Sequence, residues 1–129
     1  MNYRTGSVLA VLLILLAGSL WAHHSVSAVF DRSQTVTITG TLTKLDWRNP
    51  HMEFIVEAKA DRGQVKVWVI QGASINAFLN QNITRSDFEQ AIGQTLTVEA
   101  HPAKEGSRYG AFAVKIMFSD GRSARLSVN

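Results

Sequence analysis

Residues Thr35–Leu45 read TVTITGTLTKL. Val36, Ile38, Leu42 and Leu45 alternate with threonines, an extended-chain pattern, in even phase as far as Leu42, that gives the chain one face for a core and one for water. The β-branched threonines favour that extended backbone. Gly40 interrupts the run where a sharply coiled strand needs a bulge or a bend. A long first strand with a glycine in its middle suits closure into a small barrel.

The flanking sequence extends the same pattern. Met52–Ala58 (MEFIVEA) is a second strand, and Asp61-Arg62-Gly63 is a tight turn into Val65–Ile70 (VKVWVI), so the two pair as a hairpin. Between Gly72 and Gly93 the apolar period lengthens. Ser74 stands where it would cap a short helix carrying Ile75, Phe78 and Leu79, which breaks near Asn80-Gln81-Asn82. Thr84 is a second capping residue, with Asp87 three positions on and Phe88, Ala91 and Ile92 as an apolar stripe before Gly93. Thr95–Ala100 (TLTVEA) and Gly110–Phe118 (GAFAVKIMF) follow as strands, joined by the polar loop Lys104–Arg108, and Ser119-Asp120-Gly121-Arg122 turns into a last short strand at Ser123–Val128. This order predicts a mainly β fold: an OB-like Greek-key β-barrel of about five strands with one helical segment between strands three and four. A β-sandwich would call for about seven strands and no helix in the middle.

The amino terminus has three parts. Met1–Thr5 carries the basic Arg4 and no acid, Val8–Ala17 (VLAVLLILLA) is apolar throughout, and Gly18-Ser19-Leu20-Trp21-Ala22 supplies small residues before a cut after Ala22. Residues 1–22 are expected to be a signal peptide, and residues 23–129 a single exported domain, periplasmic or secreted. The apolar run is about half the ~20 residues that a retained anchor requires, so no stable membrane span is expected after cleavage. With 13 Lys and Arg against 10 Asp and Glu, the formal charge of +3 is too weak to argue a nucleic-acid partner. Cysteine is absent, which excludes disulfides, thiolate chemistry and cysteine-based metal sites.

Several of these residues also carry a resemblance. Ala22-His23-His24-Ser25 with Phe30-Asp31, Gly40-Thr41-Leu42-Thr43 leading to Asn49-Pro50-His51, the Trp68 strand, and His101-Pro102-Ala103-Lys104-Glu105-Gly106-Ser107 resemble a family of small exported bacterial proteins of unknown function. The resemblance implies export and a small β-barrel and names no activity. A looser architectural similarity, to bacterial periplasmic OB-fold proteins, implies ligand or cation binding; fold alone does not fix function.

Cleavage after Ala22 would make His23 the first residue, followed by His24. A terminal α-amine and an adjacent imidazole chelate a metal, and the chain holds four histidines in all. His51, after Pro50 at the start of the second strand, is the next candidate ligand; His101, before Pro102, ranks below it. A strand-end histidine is ordinarily a surface or hydrogen-bonding residue, so the metal set His23, His24 and His51 depends on the fold bringing them together. An amine with imidazoles favours copper among divalent ions. Asp31 and Asp46 stand as oxygen ligands or ring-orienting groups, or as ordinary turn residues. Ser25 beside His24 is not a nucleophile–base pair, since neighbours on an extended segment point apart, so no enzyme is assigned and a copper oxidase ranks last. The alternative is a non-metal interaction module that binds a periplasmic protein or glycan through a barrel face carrying Trp47, Arg48 and Tyr109, with Lys104 and Arg108 as possible anion contacts. Phe54 and Trp68 lie inside apolar strands and are expected to pack the core.

Overall fold

The structure is a computed structural model that describes residues 26–126. Its strands are β1 (Val36–Asp46), β2 (Glu53–Lys59), β3 (Val65–Gln71), β4 (Thr95–Pro102), β5 (Ala111–Phe118) and β6 (Ser123–Arg125), with helices α1 (Ile75–Leu79) and α2 (Arg85–Ala91) between β3 and β4. The sheet runs β3-β2-β1-β4-β5-β6, and a further β3–β5 pairing closes five strands into a barrel, leaving β6 outside. That seam is short and parallel, Ile70 with Ala111 and Gln71 with Phe112; the other ladders are antiparallel. The five-stranded closure and the helical segment between β3 and β4 agree with the sequence expectation.

β1 serves two neighbours. Val36 to Thr41 pair with β4, from Ala100 to Thr95, and Thr41 to Asp46 pair with β2, from Glu57 to Glu53. The bend has two causes. A Cβ on Gly40 would lie 2.3 Å from the backbone oxygen of Glu57, so only glycine lets β2 cross this close. The register then shifts between Leu42 and Lys44. This bulge explains why Leu42 and Leu45, three residues apart, both pack on the core. In β2 and β4 the period-two phase holds: Phe54, Val56 and Ala58 of β2 and Leu96, Val98 and Ala100 of β4 point inward.

The helices contribute Phe78 and Phe88, both fully buried. Phe88 packs against Phe54, Phe78 and Phe118 with ring centroids 6.0, 5.5 and 5.1 Å away. Removing such a ring from water is worth about 1.5–3 kcal/mol, which holds two short helices that propensity alone would not. Ser74 makes no side-chain capping bond; Asn49 Oδ1, from the β1–β2 loop, accepts the Ile75 N–H instead. Thr84 and Asp87 form the expected reciprocal capping box. β6 is tied to the helical segment by Gln81, whose side chain accepts the Arg125 N–H and donates to the Arg125 carbonyl. The expected extent of β6 to Val128 runs outside the described residues.

Candidate functional site

Two loops and the first described turn meet at one corner of the barrel. Residues 26–29 form a helical turn, and Phe30 bridges Ala103 beyond β4. Lys104 N–H donates to the Val29 carbonyl, and Asp31 N–H to that of Pro102, both at 2.8 Å. Phe30 packs on Phe112 and Tyr109, with ring centroids 5.4 and 5.8 Å away, outside the main core cluster. His51, from the β1–β2 loop, presents its ring to the same Phe112 in an edge arrangement at 6.5 Å.

Polar groups lock this corner. Arg108 grips both carboxylate oxygens of Glu53, at 2.6 and 3.2 Å, and Tyr109 donates its hydroxyl proton to Glu53 Oε1 at 2.7 Å. The Arg108 guanidinium also bonds the Tyr109 hydroxyl and lies over its ring, 4.1 Å from the centroid. The Arg108 hydrogen bond holds the Glu53 carboxyl below the usual range, with the Tyr109 hydroxyl adding to it. Burial, then the Glu53 partner, pushes the Tyr109 hydroxyl up. Arg48 stands near enough to lower both groups by its charge. Beside this network, the 26–29 turn and the Lys104–Tyr109 loop enclose an open cleft of about 360 Å³.

The sequence candidates fare differently. Among the described residues His51 Nδ1 is a buried side-chain nitrogen without a hydrogen-bond partner. His23 and His24 lie outside the described residues, as do Ser25 and the expected signal segment 1–22. Among the described residues, no group of three or more His, Asp or Glu side chains is placed to hold a metal ion. Arg48 and Tyr109 flank the corner. Trp47 does not stand out into solvent: it packs against Phe78 and Phe88 at 5.9 and 5.6 Å, seating the helices. His101 Nδ1 is engaged with the Gln34 carbonyl at 2.7 Å. Asp31 is a turn residue, accepting from Ser33 and Gln34, and the Ser33 bonds lower its carboxyl. Asp46 pairs with Arg48 at 2.8 Å. Both loop cations are spoken for, Lys104 by the Ser27 carbonyl at 2.7 Å and Arg108 by Glu53. Glu53 itself escaped the sequence reading, since an isolated acid at a strand start carries no pattern that marks it.

Residues 11–112 match the family described as Family of unknown function (DUF6152). The chain belongs to this family. The matched stretch in this DUF6152 member includes His23, His24, His51 and Tyr109, and it ends at Phe112, early in β5. No curated protein matches the chain. No solved structure matches it either.

Proposed function

We propose that this protein is an exported binding protein, periplasmic or secreted, that holds one divalent copper ion at the 26–30 corner through His51 and the terminal pair His23 and His24. The observation that supports this reading is the buried Nδ1 of His51, which has no hydrogen-bond partner among the described residues. A buried polar nitrogen left without a partner costs about 1–3 kcal/mol, and a metal ion is one group that satisfies an imidazole lone pair. His23 and His24 precede Val26 by three and two positions, and a chain reaches at most ~3.3–3.6 Å per residue. They are thus joined by a short stretch of chain to the turn that leads into Phe30, and Phe30 and His51 both contact Phe112. A terminal amine and imidazoles with no thiol in the chain favour copper over zinc.

Tag-free protein recovered after export, shown by intact mass to begin at His23, is the material for the test. Titration with Cu(II), followed by calorimetry and electron paramagnetic resonance, should show one tight site with nitrogen ligands. His23→Ala and His51→Ala should each weaken it by at least about tenfold, and His101→Ala far less. Affinity should fall as the pH drops below about 6–7, because protons compete for imidazole and amine. Equal binding by wild type and His23→Ala rejects the site. The cleft of about 360 Å³ beside Tyr109 favours the second reading, a module that binds a periplasmic protein or glycan; absence of copper binding in all variants would turn the assignment to it.

A further inference from the structure

Among the described residues, the hydrogen bonds that fasten residues 26–31 to the barrel end on residues 102–104. Asp31 N–H reaches the Pro102 carbonyl and Lys104 N–H the Val29 carbonyl, both at 2.8 Å, while Lys104 Nζ donates to the Ser27 carbonyl at 2.7 Å. Lys104 opens a loop whose other end is pinned elsewhere. There Arg108 forks onto both carboxylate oxygens of Glu53, Tyr109 donates its hydroxyl proton to Glu53 Oε1, and the Ser107 hydroxyl oxygen accepts the Tyr109 N–H at 3.0 Å. Glu53 starts β2, two positions after His51. A forked pair on a carboxylate that is only 18% exposed is a stronger tie than an open surface ion pair. Tyr109 passes the restraint on through Phe30, which packs on both Tyr109 and Phe112, the ring that His51 meets. One loop thus joins the amino-terminal turn at its start to the neighbourhood of His51 at its end.

We propose that Arg108 is a positioning residue for the copper site of the preceding subsection, a reading on which this inference rests: its grip on Glu53 and Tyr109 holds the 104–109 loop, and through Lys104 and Phe30 the 26–30 turn, in a fixed place beside His51. Arg108 touches no metal in this role. His51 and the terminal pair His23 and His24 belong to segments distant in the chain, so they share one ion only while those segments are held together. A restraint made before the ion arrives lowers the ordering cost of binding it. The sign of the effect separates this role from one of charge. A guanidinium at the corner opposes a cation by Coulomb repulsion, so on charge alone its removal tightens copper binding. Removal of a positioning group weakens it.

Arg108→Gln, made in tag-free protein that begins at His23, should lower the Cu(II) affinity read by calorimetry at least about tenfold. Its electron paramagnetic resonance spectrum should lose the same nitrogen coupling that His51→Ala loses. The double variant Arg108→Gln/His51→Ala should bind no more weakly than His51→Ala alone, because both changes remove the one ligand. Arg108→Lys keeps a cation within reach of Glu53 but not the fork, and its affinity should fall between wild type and Arg108→Gln. Without copper, the Asp31 and Lys104 amides should exchange hydrogen at least about tenfold faster in Arg108→Gln, with the amides paired between β1 and β4 unchanged. Arg85→Gln, which breaks an ion pair within α2, should alter none of these readouts. Wild-type protein that binds no copper removes the reading beneath this one. Wild-type binding that Arg108→Gln leaves equal or makes tighter, additive losses in the double variant, or unchanged amide exchange overturns the positioning role alone. Should Arg108→Gln fail to fold, an Arg108→Lys variant that folds and binds copper as tightly as wild type overturns it as well.

Discussion

Single atoms decide how sharply β1 can bend. The Cβ of an alanine at position 40 would meet the Glu57 oxygen at 2.3 Å, the Glu57 carbonyl carbon at 2.7 Å and the Ala58 Cα at 2.9 Å. All three belong to backbone, which cannot rotate away as a side chain would. Gly40→Ala should therefore destabilise the fold by about 3 kcal/mol or more, measured by urea unfolding, despite the higher strand propensity of alanine. A cost below about 1 kcal/mol would mean that β2 slides past β1 without strain. His51 shows the same dependence on immediate surroundings. In sequence it is a histidine after a proline; in the fold its ring meets Phe112 and, among the described residues, its Nδ1 has no hydrogen-bond partner. His101, flanked by proline in the same fashion, is spent on the Gln34 carbonyl. Sequence set both beside a proline and could supply the surroundings of neither.

At the scale of elements, α2 is held by charge as well as by Phe88. Asp87 closes the capping box by accepting the Thr84 N–H at 2.7 Å and pairs with Arg122 at 2.6 Å, joining the helix start to the β5–β6 turn. The Arg122 hydrogen bond, followed by those from Thr84, lowers the Asp87 carboxyl from 3.8 to about 2. A depressed carboxyl stabilises the fold above its unfolded pKa, and this contribution fades as the pH falls through the folded value. Asp87→Ala should thus cost about 1 kcal/mol at pH 6, and thermal melts of wild type and variant should converge between about pH 4 and pH 2. A gap that persists at pH 2 would show that the side chain acts by packing alone. The Thr84–Asp87 spacing made this helix start legible, because both partners of a capping box lie within one turn. Ser74 carries the same local signal, yet α1 is capped by Asn49, distant in the chain.

For the molecule as a whole, closure rests on the short β3–β5 seam. Gly110 sits at its edge, and a Cβ there would approach Trp68 Cε3 to 2.8 Å. Gly110→Val should displace Trp68, alter the near-ultraviolet circular dichroism and lower the melting temperature by about 5–10 °C, while unfolding remains a single transition. Two separate transitions would show that β5 and β6 come away from the rest before the barrel opens. Alternation in Thr35–Leu45, the 61–63 turn and the change of period between Gly72 and Gly93 determined the strand order, and with it a mainly β barrel bearing a helical segment after its third strand. These are local signals, carried by residues a few positions apart whose side chains share a face. The spacing of Leu42 and Leu45 also contained the bulge, though only the register between β1 and β2 placed it. Only the tertiary structure decided that Trp47 seats the helices, that Glu53 gathers Arg108 and Tyr109, and that Val65 and Val67 stay exposed on an open edge. Each of these depends on which distant strand passes alongside, a matter of packing between segments that no local periodicity encodes.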